Sequence, residues 1–243
     1  MMKNIDQKEL LENSFVLHTQ PYRETSLLVT IFAEKSGRVS LLAKGIKRSA
    51  ETRFLLQPFT PLVVSWRGKS DLPTLTKVES IGSPLELKAM TLISAMYVNE
   101  LLTRLLHRHD PHEHIFHLYR QVLTDFSQVD PGREDTIDQQ IILRKFEKQF
   151  LAHIGYGLPL AYEYNSNRQL LAEAYYQFIP ENGFVRVAGI PSCASAFLGQ
   201  HLLAIAQDCY EDKLVLQASK RLMRLVFQSL LGNRPLKSRE LLV

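Results

Sequence analysis

The feature that most constrains the fold of this chain is a change in hydrophobic pattern near Pro84. Between Ser14 and Ser80 the sequence contains five short β-rich runs separated by turn residues, and no helical period lies between them. Short consecutive strands bury their apolar faces well by curling into a small barrel, closed or nearly closed. The five runs are SFVLHT, SLLVTIFAE, RVSLLAKGI, PLVVSWR and PTLTKVES.

Residues 1–84 are therefore predicted to form a five-stranded barrel. An OB-fold is the first choice for its topology, and an SH3-like barrel is the second. Gly37 separates two of the runs and predicts a hairpin turn, because glycine tolerates a positive φ. The basic segment that ends at QPFT is interpreted as a loop.

After Pro84 the apolar residues recur with a helical period. One helix is predicted within LKAMTLISAMYVNELLTRLLHR and a second from His114 to Phe126. A third is predicted to begin at the capping-box pair Thr136 and Gln139 and to end at Gly155. The first helix is expected to bury a broad face made of Ile93, Tyr97, Leu101 and Leu105, widened by Leu92, Met96 and Leu102.

The last third of the chain combines one hairpin with two more helices. Residues 174–187 read as two β-like runs around a turn, and helical patterns follow from Ala194 to Ala206 and from Lys213 to Leu231. The sequence thus predicts an α+β multidomain protein. The barrel domain is expected over residues 1–84, and a mainly α-helical domain with a small β-hairpin insertion over residues 85–243.

The positive charge of the chain is concentrated in the predicted barrel. The chain has 29 Lys and Arg against 25 Asp and Glu; residues 1–84 hold 12 basic and 8 acidic side chains, and the remainder holds 17 of each. The densest part, residues 35–53, predicts a polyanionic partner. Single strands are bound where cations neutralise phosphates and aromatic rings stack on bases, and Phe54, Phe59 and Trp66 lie nearby. The predicted DNA-binding residues are Lys35, Arg38, Lys44, Lys47, Arg48, Arg53 and Trp66. A solvated hairpin tip is the alternative interpretation.

A histidine-rich segment suggests metal chemistry but has the wrong spacing for it. Five histidines between His107 and His117 stand with Asp110 and Glu113, and such side chains are ligands for zinc or manganese. The segment lacks the H-E-x-x-H spacing, and Pro111 interrupts it. A polar connection between two helices is therefore favoured over a metal site.

Other sequence features argue against an enzyme and against secretion. The chain contains no G-x-S-x-G, Walker A or G-x-G-x-x-G motif, and no apolar run of the ~18 residues needed to span a bilayer. The N-terminal residues do not read as a secretory signal, so a cytoplasmic location is expected. Cys193 and Cys209 are too few for a four-thiolate zinc site and are expected to be reduced and buried.

Two helices carry further candidate binding residues. Arg144 on the third helix is interpreted either as a solvent-facing residue or as a guanidinium that captures a carboxylate at an apolar pocket. Lys145 and Lys148 add basic surface to the same helix. A polar stripe with three positive charges marks the last helix, as a possible secondary contact with DNA; it comprises Gln217, Lys220, Arg221, Arg224 and Gln228.

Five motifs together resemble the bacterial recombination mediator family RecO. They are FVLHTQPYRETSLLVTIFAEKSGRVSLLAKGIKR, LQPFTPL, YVNELLTRLL, LRKFEKQFLAHIGYG and RPLKSRELL, and they run from about Phe15 to Leu242. The resemblance implies an N-terminal OB-fold, a C-terminal helical domain and no turnover chemistry. It implies a DNA repair and recombination protein of the cytoplasm and nucleoid that binds single- and double-stranded DNA, anneals complementary strands, and helps RecR, with RecF, to load RecA onto SSB-coated DNA.

The resemblance also assigns roles to particular residues. Arg38, Lys44, Lys47 and Arg48 would lie on the DNA-binding face of the barrel. Arg144 would hold the acidic, phenylalanine-ended tail of SSB, with Lys145 and Lys148 attracting its aspartates. Many members carry a four-cysteine zinc finger after the GYG motif, but LPLAYEYNSNRQLLAEAYYQF contains no cysteine, so no zinc and no other cofactor is expected. Members also often continue past LKSREL with a basic tail.

Three alternatives to DNA annealing remain open from the sequence. An RNA-binding OB-fold protein would share the basic segment, because recognition of the 2′-hydroxyl cannot be read here. A metal-dependent nuclease would use the His107–His117 cluster. An adaptor would bind only proteins through its barrel and its helices.

Overall fold

The computed structural model describes residues 11–46, 50–68, 70–130, 137–164, 166, 168–189, 193–232, 234 and 236–238. The chain divides into two compact units. The first runs to Lys88 and adds Ala95–Ser127, and the second consists of Ala89–Ser94 and the chain from Gln128 onward. This division differs from a single boundary near Pro84, because residues 95–127 belong with the barrel rather than with the later helices. The predicted domains, 1–84 and 85–243, stay a prediction.

Five strands of the first unit close into a barrel. They are β1 (Glu12–Tyr22), β2 (Ser26–Ala33), β3 (Gly37–Ala43), β4 (Leu62–Arg67) and β5 (Thr74–Ser80). Their order is β1-β2-β3-β5-β4, and β4 pairs back with β1. Neighbouring strands are antiparallel except β3 and β5, which are parallel. The predicted OB-fold is confirmed, and each predicted run became one strand.

A short helix that the sequence did not predict lies between β3 and β4. This helix, α1 (Ala50–Leu55), falls in the segment interpreted as a loop. None of its side chains is fully buried. Without a buried face it has no apolar period, which is the signal from which helices are predicted.

The barrel core consists of aliphatic side chains at alternating strand positions. Val29, Ile31, Val39, Leu41 and Val64 are all fully buried in it. Because successive side chains of a strand point to opposite faces, the residues between them form an outer surface. This alternation is why the short runs of the sequence specify a closed barrel.

The outer face of β1 and β2 is covered within the same unit by α3 (Glu113–Gln128). The ring of Phe15 meets that of Tyr119 edge-on with centroids 5.2 Å apart, and Phe32 meets Phe116 at 5.5 Å. Strands buried on both faces read as nearly continuous apolar runs. The packing against α3 therefore explains why SFVL and LLVTIF are mostly apolar rather than strictly alternating.

The buried face of helix α2 (Ala89–Leu105) differs from the predicted one. Tyr97, Leu101 and Leu102 are buried as expected, but Leu92 and Met96 are 38% and 45% exposed. Spacing of three to four residues cannot decide between two adjacent apolar stripes. Polar Asn99 lies on the buried side: its amide donates to the Leu17 carbonyl at 3.0 Å, at the irregularity in the pairing of β1 with β2.

In its described residues, the second unit combines the start of α2 and three complete helices with a small sheet. The helices are α4 (Ile137–His153), α5 (Gly199–Ala206) and α6 (Lys213–Leu231), and the strands are β6 (Tyr175–Ile179), β7 (Gly183–Val187) and β8 (Ala196–Leu198). The β6–β7 hairpin matches the prediction. The predictions of a lone hairpin and of a helix from Ala194 were wrong, because β8 pairs with β6 before α5 begins.

Helix boundaries in this unit follow local chemistry. Asp212 caps α6 by accepting a hydrogen bond from the Leu214 amide at 2.8 Å, and Gly232, at φ 61°, follows its last residue. Gly155, at φ 84°, follows α4. Thr136 lies outside the described residues, and its predicted partner Gln139 is buried and donates to the Ser94 hydroxyl. In the described part of the chain, no helix has the length and apolar character to span a membrane.

Candidate nucleic-acid interface

Strand β3 separates the basic segment into two groups at opposite ends of the barrel. Lys35 lies in the turn before β3, and Lys44 directly follows its last residue. A strand of seven residues spans roughly 20 Å. The high charge density in the sequence therefore does not form one patch, and each end has to be considered by itself.

One end of the barrel gathers three connections. Leu27 of β2 pairs with Ala43 of β3, so the β1–β2 turn lies beside the end of β3. Leu42 pairs with Thr74, and its amide donates to the Pro73 carbonyl at 2.8 Å, so the β4–β5 connection lies there too. In OB-folds these loops flank the surface that binds oligonucleotides.

We call this end the basic end after its described cations, Arg23, Lys44 and Arg67; the exposed carboxylates Glu24 and Asp71 lie in the same connections. All three basic side chains are exposed. Arg23 follows β1 with φ 51°, and its guanidinium lies over the ring of Tyr22 at 5.2 Å. Arg23 and Arg67 are not among the residues predicted from the sequence, because each is isolated along the chain; only the strand register brings them to the same end as Lys44. The predicted Lys47 and Arg48 lie outside the described residues.

The aromatic candidates near the basic segment differ in exposure. Phe59 is buried, 8% exposed, in a backbone conformation with φ 67°. Trp66, a predicted contact, is only partly exposed because it packs against the barrel core. Phe54 on α1 is 66% exposed, and the neighbouring Arg53 is exposed as well. Phe54 is therefore the ring of these three with an open face.

The opposite end of the barrel is held by a buried carboxylate. Glu12 is 7% exposed and accepts hydrogen bonds from the Lys35 amide at 2.5 Å, the Ser36 amide at 2.6 Å and the Ser36 hydroxyl at 2.8 Å. The backbone of the β2–β3 turn is fixed by these contacts. The side chain of Lys35 itself is exposed at this end.

Arg38 is anchored within the first unit rather than displayed. Its Nε donates to the Leu106 carbonyl at 3.0 Å, and its own carbonyl accepts from the His109 amide at 3.0 Å. Burial, followed by the positive charge of Arg108, lowers the pKa of the Arg38 guanidinium. Arg38 thus links β3 to the connection between α2 and α3.

The histidines lie along that connection and the start of α3. His112 Nε2 lies 3.1 Å from Asp110 Oδ2, and His117 Nε2 lies 3.6 Å from Glu34 Oε1. Among the residues that the structure describes, which include this whole segment, no three His, Cys, Asp or Glu side chains come together as a metal site requires. His112 and His117 thus each contact a different carboxylate.

Helix α4 presents its predicted cations in three different ways. Arg144 is 7% exposed, and its Nη1 lies 2.7 Å from Oε2 of the fully buried Glu147, so the solvent-facing interpretation was wrong. Lys148 donates to the carbonyls of Ile205 and Ala206 at 3.0 Å each and pairs with Asp208 at 2.7 Å. Lys145 is exposed.

The polar stripe of α6 faces solvent, as the period predicted. Lys220, Arg221 and Arg224 are all exposed. Arg221 nevertheless has local partners: its Nη2 donates to the Ala196 carbonyl at 2.6 Å, and its guanidinium lies 4.5 Å from the centroid of the Phe197 ring. A structural contact to β8 therefore accounts for the position of Arg221.

Comparison with known proteins gives the family. The family model described as "Recombination protein O N terminal" matches residues 8–84, and "Recombination protein O C terminal" matches residues 89–240. The chain belongs to the RecO family. The resemblance found in the sequence motifs is confirmed, and RecO membership supports a role in DNA repair.

Curated RecO relatives match nearly the whole chain. A "DNA repair protein RecO" from Nitrosococcus oceani is 44% identical over 96% of this chain and 92% of its own length. Proteins of the same name from Actinobacillus pleuropneumoniae and Nitrosospira multiformis are 41% and 40% identical, over 96% and 98% of this chain and 95% and 97% of their own lengths.

The cysteines of this RecO chain differ from the sequence prediction in one respect. Cys193 and Cys209 are both free thiols, but they are exposed rather than buried. In the stretch after GYG, the backbone of Tyr162 pairs with that of Gln169. Both cysteines lie in short segments between elements, where no apolar period indicates which side chains are buried. Their exposure could therefore not be predicted from the sequence.

Proposed function

We propose that this RecO protein binds single- and double-stranded DNA through the basic end of its barrel and anneals complementary strands. The proposal is carried by one observation: the register of an OB-fold brings Arg23, Lys44 and Arg67 to the end where this fold binds oligonucleotides. Membership in a DNA repair family supports DNA as the polyanion.

Annealing on such a surface is catalysis by proximity. Cations that neutralise phosphates offset the repulsion between two strands and hold them at high effective concentration, without covalent chemistry. The exposed ring of Phe54 would stack on an unpaired base, a contact worth about 1–3 kcal/mol. The stripe with Lys220 and Arg224 on α6 is a secondary contact in this proposal.

In recombination, the protein would act with RecR and RecF to load RecA onto SSB-coated DNA. The SSB tail would bind along α4, with its last phenyl ring in an apolar pocket and its carboxylate on a cation. The ion pair between Arg144 and Glu147 makes the exposed Lys145 the first cation that an approaching tail would meet.

The test is single-strand binding at several salt concentrations, together with annealing of naked complementary strands. Neutralisation of about five phosphates predicts that log K falls with log salt with a slope near −3.5, since each contributes about 0.7. The triple variant Arg23→Gln, Lys44→Gln, Arg67→Gln is expected to reduce the slope by about 2 and to slow annealing.

Two outcomes would contradict the proposal. An affinity that does not change with salt concentration would show that the protein does not neutralise phosphates. Unchanged annealing in the triple variant would favour an adaptor that binds only proteins. Competition between DNA and RNA strands of the same sequence decides the nucleic acid, because an RNA-binding protein would prefer the strand with 2′-hydroxyl groups.

A further inference from the structure

The second compact unit contains a cavity beside the tip of the β6–β7 hairpin. Its volume is about 550 Å³, within the range of roughly 300–1,000 Å³ typical of sites for small organic groups. Its walls come from the segment after α4, the hairpin turn and the last turn of α6. None of the described residues named above for contacts with DNA or with the SSB tail lines it.

Two helices end at this cavity. Gly155 and Tyr156 line it just after α4 ends at His153, and Ser229 and Leu230 line it just before α6 ends at Leu231. A helix C-terminus carries roughly half a negative charge, because its last carbonyls have no partner within the helix. The C-terminal ends of α4 and α6, helices of 17 and 19 residues, therefore lie beside the cavity.

The hairpin turn adds a full negative charge. Glu181 lines the cavity and is exposed at its edge. None of the described residues that line the cavity is a lysine, an arginine or a histidine. Two helix ends and one carboxylate without an opposing cation make this concave surface a site for a positively charged group.

The walls favour an organic cation over a metal ion. Tyr156, Pro159, Phe178 and Leu230 give the cavity apolar and aromatic faces, which bind methylene groups and attract a cation placed over a ring. Glu181 is the only carboxylate among its described lining residues. A planar guanidinium can pair with a carboxylate through two hydrogen bonds and stack on an aromatic ring, which an ammonium cannot do.

We propose that this cavity binds an arginine side chain of a partner protein, with the guanidinium on Glu181 and the aliphatic stem on the apolar wall. Tyr156, Pro180 and Glu181 at its edge are exposed, so a side chain can enter from a docked surface. The site would give the protein a negative docking point in its second unit, in addition to the cationic basic end of its barrel.

The test uses the full-length protein and a fluorescent peptide, Gly-Leu-Arg-Leu-Gly, with a twin that carries neutral citrulline in place of arginine. The arginine peptide is expected to bind at least tenfold more tightly than its twin. Glu181→Gln should weaken its binding about tenfold, and Ser229→Trp, which places an indole in the cavity from an exposed helix position, should abolish it. Glu211→Gln, at an exposed carboxylate outside the cavity, should have no effect.

Each other outcome overturns the proposal. Equal binding of the two peptides would mean that the cavity does not select a cation, and unchanged binding by Glu181→Gln or Ser229→Trp would place the peptide elsewhere. Spermidine that displaces the peptide at equal concentration would identify a free polyamine site instead. Binding of single-stranded DNA, measured on the same variants, should stay at the wild-type level. The peptide result therefore tests this cavity independently of the DNA-binding proposal.

Discussion

The guanidinium of Arg144 lies 2.7 Å from the carboxylate of Glu147, one helical turn further along α4, and the two side chains are 8% and 0% exposed. Removal of one partner from a buried ion pair takes away the main compensation of the other charge, which costs about 3–5 kcal/mol. Arg144→Ala therefore changes stability as well as any contact with a bound tail.

We predict that Arg144→Ala lowers the free energy of unfolding by about 3–5 kcal/mol. The double variant Arg144→Met, Glu147→Leu should recover most of this loss, because apolar residues of similar volume can replace a buried pair at little cost. Urea denaturation measures both. An Arg144→Ala protein as stable as wild type would show that Glu147 is not held by this pair.

A stable variant at Lys145 gives a cleaner test of tail binding. Lys145 is exposed on α4, and exposed ion pairs contribute about 0.2–1 kcal/mol, so Lys145→Ala should weaken binding of an acidic, phenylalanine-ended peptide by roughly 1.4- to fivefold. Its unfolding free energy should not change. Fluorescence anisotropy measures the affinity, and the double variant at Arg144 and Glu147 serves as the comparison. No change with Lys145→Ala and loss with the double variant would assign the contact to Arg144.

The two ends of the barrel should respond differently to charge reversal. Lys44→Glu, at the basic end, is expected to weaken single-strand binding and to reduce the salt slope by at least about 0.7. Lys35→Glu, beside the turn that Glu12 holds, should leave both nearly unchanged. The pair has the same charge change and similar exposure, so anisotropy titrations of both variants compare position alone. A larger effect at Lys35 would place the DNA at the opposite end.

Most of the helices and strands could be predicted from local sequence patterns. The five strands and the turn at Gly37 were predictable because alternation and a glycine with positive φ, here 67°, act over a few residues. The end of α6 before Gly232 was predictable for the same reason, because the signal is a single glycine next to the helix. Helix α1 and strand β8 were not predictable, because the first buries no side chain and the second has only three residues.

The candidate site depended on contacts that no local pattern contains. Arg23 and Arg67 join Lys44 only through pairings between strands distant in sequence. The helical period of α4 gives the position of Arg144 around the helix but not the buried carboxylate that stabilises it there. Charge density along the chain is therefore a guide to a nucleic-acid interface only within one loop.

Lys148 is expected to act as a cap for α5. Its ammonium donates to the carbonyls of Ile205 and Ala206 in the last turn of α5, where cations are stabilised by the helix dipole. Lys148→Met should lower the free energy of unfolding by about 1.5–3 kcal/mol, the usual contribution of hydrogen bonds to a charged group. Hydrogen exchange should speed up in α5, whereas Lys145→Met should alter neither quantity. Unchanged hydrogen exchange in Lys148→Met would mean that, in the wild-type protein, the hydrogen bonds from Lys148 to the two carbonyls do not stabilise α5 and that Lys148 interacts mainly with Asp208.

A buried tyrosine predicts how stability changes at alkaline pH. The hydroxyl of Tyr119 donates to the Asn99 side-chain carbonyl at 2.6 Å, and burial raises the pKa of this phenol far above its usual value. Because the folded protein holds the proton more tightly than the unfolded chain, this stabilisation is complete below about pH 10 and is lost as the pH rises above it. The free energy of unfolding should then fall by about 1.4 kcal/mol per pH unit for this group.

Tyr119→Phe should remove this part of the pH dependence, while at neutral pH it costs about 1–3 kcal/mol because Asn99 loses a partner. Phe116→Leu, in the same aromatic cluster, should lower stability but keep the alkaline slope, since Phe116 carries no proton to lose. Urea denaturation measures the free energy of unfolding of all three proteins between pH 8 and about pH 11.5, an interval that includes the usual pKa of tyrosine. Equal slopes for wild type and Tyr119→Phe would mean that the phenol already opens to solvent before it ionises.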